Sequence, residues 1–419
     1  MPSSDVGDPT SVHPSGNAIA LRRSLTLWHV LLYGLGITIG AGIYVLIGPV
    51  ARTAGMAAPA AFVLAAALMS FSALSFAELA TRMPVAAGEA AYVAEGFQSR
   101  IAGVAIGLLV IAIAITTSAT ISRGSAEYIA LFLDWPEPAI VAAVVFAMGA
   151  IAAWGIVESI TFAGAMTVIE TGGLLLIVAL GFTTVPDTLV RLPEAIPELG
   201  NSSAWMAMMS AGLLAVFAFI GFEGIVNIAE EMQDPQRNLP KAILATLVIT
   251  TLVYVAVVWV ALIALGPERL GATEAPLAAV FVALTGWPPS IMAAIAIVAT
   301  LNGIIASIVL SARVAYGLAR RGDIPGILGQ VNRVTRTPLV ATALTTALVL
   351  VLALAVPLTG LAEWSSRLTL AMFAAVNAAL VTIKLRETSP PAGIFFTPLW
   401  VPAAGLAATL AFLAGDIAL

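Results

Sequence analysis

"GLGITIGAGI" (residues 34–43) decides how this chain is read. It lies in an apolar run of membrane-crossing length, about 28–50, yet Gly36, Gly40 and Gly42 weaken that run at mid-depth. Each glycine inside a helix costs about 1 kcal/mol against alanine. Freed backbone groups in a bilayer find no water, so an interruption there is tolerated where it lines a cavity. The bland account is close helix packing, because Gly36-x-x-x-Gly40 is a small-xxx-small pattern. A second interrupted stretch, "FAFIGFEGI" (residues 217–225), weakens that account, with Gly221 and Gly224 flanking an acid, Glu223.

Composition supports a membrane setting. Of the 419 residues 60% are hydrophobic and 10% charged, against about 25% charged in soluble domains. Eleven apolar segments can be drawn, at about 28–50, 57–80, 101–131, 137–155, 158–182, 205–230, 239–265, 288–318, 338–356, 363–383 and 393–414. Residues 1–21 read as a disordered tail without the basic and apolar parts of a signal peptide. Lys and Arg favour one set of loops by about three to one (Arg82, Arg100, Lys241, Arg320 and Arg321 among them) over the set with Arg52, Arg191, Arg269 and Arg367. That bias predicts a cytoplasmic N-terminus, and an odd number of spans then predicts an external C-terminus. Cysteine is absent and the histidines are His13 and His29, which argues against thiolate chemistry and a histidine metal site. No cofactor, nucleic-acid partner or enzymatic set of nucleophile and base is expected.

The spacing of the interruptions predicts an architecture. The first lies in span one and the second in span six, so each opens a unit of five spans. An odd number of spans per unit inverts the second unit, and paired interruptions mark transporter binding sites. The expected division is a core over 22–385, with repeat one at about 28–182 and repeat two at about 205–383, and a peripheral eleventh span in 386–419. An unwound helix offers N–H groups to a carboxylate and C=O groups to a cation. Together those suit the backbone of a free amino acid.

Ionisable groups at membrane depth are costly and functional by default. Glu170, in "MTVIETGGLLL" of span five, is the coupling candidate for a proton or a cation such as sodium. Glu223 suits either substrate or the freed backbone, with the structural role preferred. Arg123 and Glu127, four residues apart, predict an ion pair. Glu78, Glu230 and Glu231 are expected to anchor loops on the basic side. Asn302, Ser307 and Ser311 could ligate an ion or bond neighbouring helices. Phe217, Phe219, Phe222 and Tyr44 flank the breaks as gates or as packing. Trp28, Trp135, Trp205, Trp287 and Trp364 fit an interfacial belt.

"GLGITIGAGIYVLIG", "FAELATRMPVAAGEAAYVAEGF", "FAFIGFEGIVNIAEEMQDPQRNLPKAI" and "SARVAYGLARRGDIP" together resemble the amino acid–polyamine–organocation superfamily. Within it they are most similar to bacterial relatives of cationic amino acid transporters. The resemblance spans about residues 20–385. It implies an all-α integral membrane protein of the leucine-transporter fold, two inverted five-helix repeats, with alternating access in the plasma membrane. It also implies that Thr38, Gly40, Ala41 and Gly42 meet the substrate carboxylate and amino group, with Phe217, Ala218 and Ile220 completing the site. Proton-coupled relatives often carry a lysine in span five. Aligning Glu158–Ser159 with the family motif puts Glu170 at that place, so the charge is inverted. Relatives usually have twelve or more spans, whereas eleven are drawn here. A polyamine transporter of the same fold and a non-transporting membrane sensor are the alternatives.

Overall fold

The computed structural model describes residues 25–84, 88–155, 160–186, 188–387 and 393–418. The N-terminal tail and the Glu158–Ser159 motif lie outside them. Long apolar runs become helices: α1 (Leu27–Ala54), α2 (Ala58–Arg82), α4 (Arg100–Ile129), α5 (Glu137–Trp154), α6 (Ile160–Thr184) and α7 (Ser202–Phe219). After α7 the chain tightens into a 3₁₀ stretch, Phe222–Glu231, and continues as α8 (Pro235–Leu265), α11 (Ser290–Arg320), α12 (Leu339–Ala355), α13 (Leu358–Arg386) and α14 (Trp400–Ala418). Ends follow local chemistry. Ser99 Oγ accepts the Ala102 N–H at the start of α4, and Asn201 Oδ1 accepts the Ala204 N–H at the start of α7. Gly155, left-handed at φ 83°, stops α5.

Among the described residues eight helical stretches are long and apolar enough to cross a membrane, the first of which, Leu27–Arg82, runs through both α1 and α2. Leu339–Ala355 and Trp400–Asp416 are apolar but shorter. The protein is an integral membrane protein, all-helical apart from one isolated Leu25–Met232 bridge among the described residues.

The contacts between helices come in matched pairs. Helices α1, α2, α4 and α5 pack on α7, α8, α11 and α12 respectively. The cross-contacts match as well. Helix α1 packs on α8 as α2 does on α7, α5 on α11 as α12 does on α4, and α6 on α1 as α13 does on α7. Helix α14 lies against α13 and α2.

Shorter elements fill the ends. Between α2 and α4 lies α3 (Gly88–Phe97), whose polar composition reads as surface but whose Glu89, Tyr92 and Val93 are buried, and which packs on α4 and α13. Two short helices, α9 (Pro267–Ala272) and α10 (Pro276–Thr285), were not foreseen; they occupy what reads as a loop and contact α1.

Candidate functional site

The two interrupted helices break opposite each other. Gly40 leaves helical geometry at φ −3° and ψ −125° inside α1. Helix α7 ends at Phe219, Ile220 is extended, and Gly221 takes φ 132°. Side chains rarely adopt that φ. A Cβ on Gly221 would also sit 2.4 Å from the Ile37 carbonyl oxygen. The backbones touch again at Gly42, whose added Cβ would fall 2.6 Å from Ala218 Cα. Glycine is needed at both places because main chain meets main chain. Gly40 differs, since no atom lies within 4 Å of its would-be Cβ. Open space therefore adjoins the break.

One side chain that sequence reasoning missed organises this gap. Tyr254 of α8 is fully buried. Its hydroxyl lies 2.7 Å from Thr38 O, 2.9 Å from Ala218 O and 3.2 Å from Ile39 O. Its single proton is shared among carbonyls released by both breaks. The available signal was a tyrosine inside an apolar span, since a buried phenol needs a polar partner. Phe62 and Phe219 hold its ring, with centroids 5.7 and 5.3 Å away. Glu223 serves the opposite polarity: its Oε2 accepts the Gly221 N–H at 2.9 Å.

The residues singled out by sequence fall into groups. Of the residues expected at the site, Gly42 meets Ala218, Thr38 lies beside Gly221, whose Cβ position is 3.1 Å from Thr38 Cα, and Ala41 lies towards Gly303 of α11. The Thr38 hydroxyl is buried and has no hydrogen-bond partner among the described residues. Phe217 and Phe219 are buried on α7, and Phe222 packs with Phe76 and Phe373 below the break. Tyr44 is a brace between helices. Its hydroxyl donates to Glu170 O at 2.8 Å, and its own carbonyl accepts from Tyr128 at 2.8 Å. Glu170 is thus held against α1, and its side chain is fully buried. One turn before it, Thr167 Oγ1 donates to Leu32 O at 3.2 Å.

On α11, the residue between Asn302 and Ile304 is Gly303, whose Cβ position is 3.4 Å from the Ala41 side chain. Asn302 and Ser307 are half-buried on that helix. Ser311 is used in helix packing, 3.0 Å from Thr345 of α12.

The expected Arg123–Glu127 pair is absent. Arg123 reaches across to Glu137 at the start of α5, at 2.8 Å, and donates to Ala353 O at 2.9 Å. An acid on a neighbouring helix and a helix-end carbonyl outcompete a partner on the same helix. Glu127 lines a cavity of about 190 Å³ with Arg52 and Glu274, at the end of the bundle opposite the basic loops.

At the basic end Glu78 is a hub. Its Oε1 lies 2.7 Å from Arg82 Nη2 and 2.6 Å from Lys384 Nζ. Its Oε2 accepts the Thr397 N–H at 2.8 Å and hydroxyl at 2.6 Å. Arg82 also pairs with Glu387. The two acids balance the two bases, tying α2 to α13 and to the segment before α14. Glu231 contributes its carbonyl, which accepts the Leu25 N–H at 3.0 Å.

Facing helix breaks in an apolar, all-helical bundle define a multi-pass membrane protein whose polar centre is made of backbone. The family model for amino acid permeases matches residues 25–417, and the chain belongs to that family, within the amino acid–polyamine–organocation superfamily. It is 31% identical over 376 residues to uncharacterized transporters of Mycobacterium bovis and Mycobacterium tuberculosis, covering 88% of this chain and 82% of theirs. It is 28% identical over 389 residues to the branched-chain amino acid permease BcaP of Bacillus subtilis, covering 89% of this chain and 83% of that one. A vacuolar cationic amino acid transporter of Arabidopsis thaliana is 28% identical, covering 87% of this chain and 60% of its own length.

Proposed function

We propose that this chain is a secondary transporter that carries amino acids across the plasma membrane by alternating access, with substrate held between the broken centres of α1 and α7. The observation that carries this reading is the division of labour at the breaks. Tyr254 takes carbonyls from both helices and Glu223 takes the Gly221 N–H. The N–H end that opens the second half of α1, at Ala41 and Gly42, is then the natural seat for a carboxylate. The buried Thr38 hydroxyl beside it suits a polar ligand, because an unmade buried hydrogen bond costs about 1–3 kcal/mol.

The paired contacts of α1–α6 with α7–α13 support two inverted five-helix repeats of the leucine-transporter type, with α14 as an eleventh span. The loop bias supports a cytoplasmic N-terminus and an external C-terminus. Glu170, buried against the outer half of α1 through Tyr44, is the coupling group for a proton or a cation.

Thermal-shift measurements on the purified chain against the twenty amino acids and common polyamines, with and without sodium at two pH values, test the substrate class. Stabilisation by at least one amino acid is expected. Stabilisation by polyamines alone would turn the reading to organic amines. For coupling, Glu170→Gln in liposomes is expected to lose the dependence of uptake on pH or sodium. An unchanged dependence removes Glu170 from that role.

A further inference from the structure

The link between α11 and α12 ends in a turn that the transport site does not use. Over 332–337 the chain bonds to itself. Asn332 Oδ1 accepts the Val334 and Thr335 N–H groups at 2.8 and 3.1 Å. Asn332 O accepts the Arg336 N–H at 2.9 Å, and the Asn332 N–H donates to Thr337 O at 3.0 Å. These bonds hold Arg336 at φ 56°, a left-handed conformation that side chains rarely adopt. The turn presents Arg333, Val334 and Arg336 to the outside, with Val334 89% exposed. An apolar tip between two cations is poorly suited to water. It is well suited to the boundary between lipid headgroups and acyl chains.

Its neighbours fix its depth. Thr337 Oγ1 donates to Ala153 O at 2.7 Å, at the end of α5. Gly155 packs so closely on the turn that an added Cβ would lie 2.6 Å from Thr335 O. Between those two contacts is Trp154, 75% exposed. An exposed tryptophan that closes an apolar span marks the headgroup level. Apolar stripes lead away from that level. Phe146, Ala150 and Trp154 are exposed at four-residue spacing on α5, as are Val340, Leu344 and Leu348 on α12.

The charges of the turn are uncommitted. Elsewhere at this end of the bundle Arg82 and Lys384 share Glu78, and Arg100 and Arg321 share Asp323. Neither Arg333 nor Arg336 has an acidic partner among the described residues. A guanidinium offers five N–H donors in a fork that matches phosphate. We propose that this turn and the adjoining end of α5 bind an anionic phospholipid of the leaflet that the basic loops face. Arg333 and Arg336 hold the phosphate, Val334 enters the acyl boundary, and the chains lie along the stripes that begin at Trp154. The site uses no residue of the helix breaks, so its test needs no transport.

The test reconstitutes the full chain in equimolar vesicles of phosphatidylglycerol and phosphatidylcholine, with one lipid or the other carrying brominated acyl chains that quench indole on contact. Trp154 emission is isolated by subtracting the signal of Trp154→Phe. Quenching at Trp154 is expected to favour the brominated phosphatidylglycerol by about fivefold or more in apparent binding constant. The preference is expected to fall towards parity in high salt and to vanish in the double variant Arg333→Gln, Arg336→Asn. Asparagine tolerates the left-handed conformation, so the turn is retained, and an unfolding temperature equal to wild type checks that. Equal quenching of the wild type by both lipids overturns the site. So does a preference that survives in the folded double variant. If that variant unfolds early, the wild type in high salt decides, and a preference that salt leaves untouched overturns the site. Loss of the preference on adding soluble glycerol phosphate overturns the assignment to lipid and marks a seat for a free anion.

Discussion

Tyr254 is the residue on which the site's geometry turns. Its hydroxyl serves carbonyls on two broken helices at once, so Tyr254→Phe leaves buried acceptors unmet. The expected loss is about 1–3 kcal/mol of stability, read as a lower unfolding temperature, together with reduced uptake; unchanged values for both would remove Tyr254 from its bridging role. Glu89 offers a pH test outside the membrane spans. Burial pushes its carboxyl up to about 7, with its own backbone N–H pulling it partly back and the charge of Glu223 adding to the rise. A carboxyl whose pKa is higher folded than unfolded holds its proton more tightly when folded. Its contribution is therefore present below about 4.5 and is lost as pH rises towards 7. Glu89→Gln is expected to flatten that window and to stabilise the protein at pH 8 by up to about 3 kcal/mol, measured as the difference in unfolding temperature between variant and wild type across pH 4.5–8. The sequence did not disclose either role. Tyr254 is distant in sequence from both breaks, and Glu89 sits in a helix whose polar composition reads as surface. Glu223 was legible because its partner is two residues away.

At the scale of elements, close backbone approach is the organising constraint. Gly42→Ala would drive a Cβ to 2.6 Å from Ala218 Cα, and backbone cannot step aside as a side chain can. The variant is expected to insert in the membrane and to lose at least tenfold in uptake rate, checked by flux normalised to inserted protein. The clamp at Glu78 makes a second prediction. Glu78→Ala leaves Arg82 and Lys384 largely buried without their shared counter-charge, and breaking such a pair costs about 3–5 kcal/mol. A marked fall in unfolding temperature is expected, and its absence would mean that water reaches the bases freely. Both breaks were readable from glycine spacing, because the cost of glycine in a helix is local. The pairing of Arg123 was not, because Glu137 lies on another helix and i, i+4 logic sees only one. The α9 and α10 helices escaped for a similar reason: short segments opening on Pro267 and Pro276 are fixed by what they pack against.

Across the whole molecule the helices meet in matched pairs, the pattern that supports the proposed inverted repeat. What the sequence made legible at this scale was the all-helical membrane class, through apolar length. The chemistry of the faces was less visible, since facing residues on α4, α11 and α13 depend on helix rotation that composition does not encode. The central proposal is that the gap between α1 and α7 binds and passes an amino acid. The most direct measurement is uptake of radiolabelled amino acids by the wild-type chain in proteoliposomes, beside Gly42→Ala prepared identically. Uptake of at least one amino acid by the wild type, lost in Gly42→Ala, is the predicted result. Uptake that survives unchanged in Gly42→Ala, or a wild type that moves polyamines and no amino acid, would contradict it.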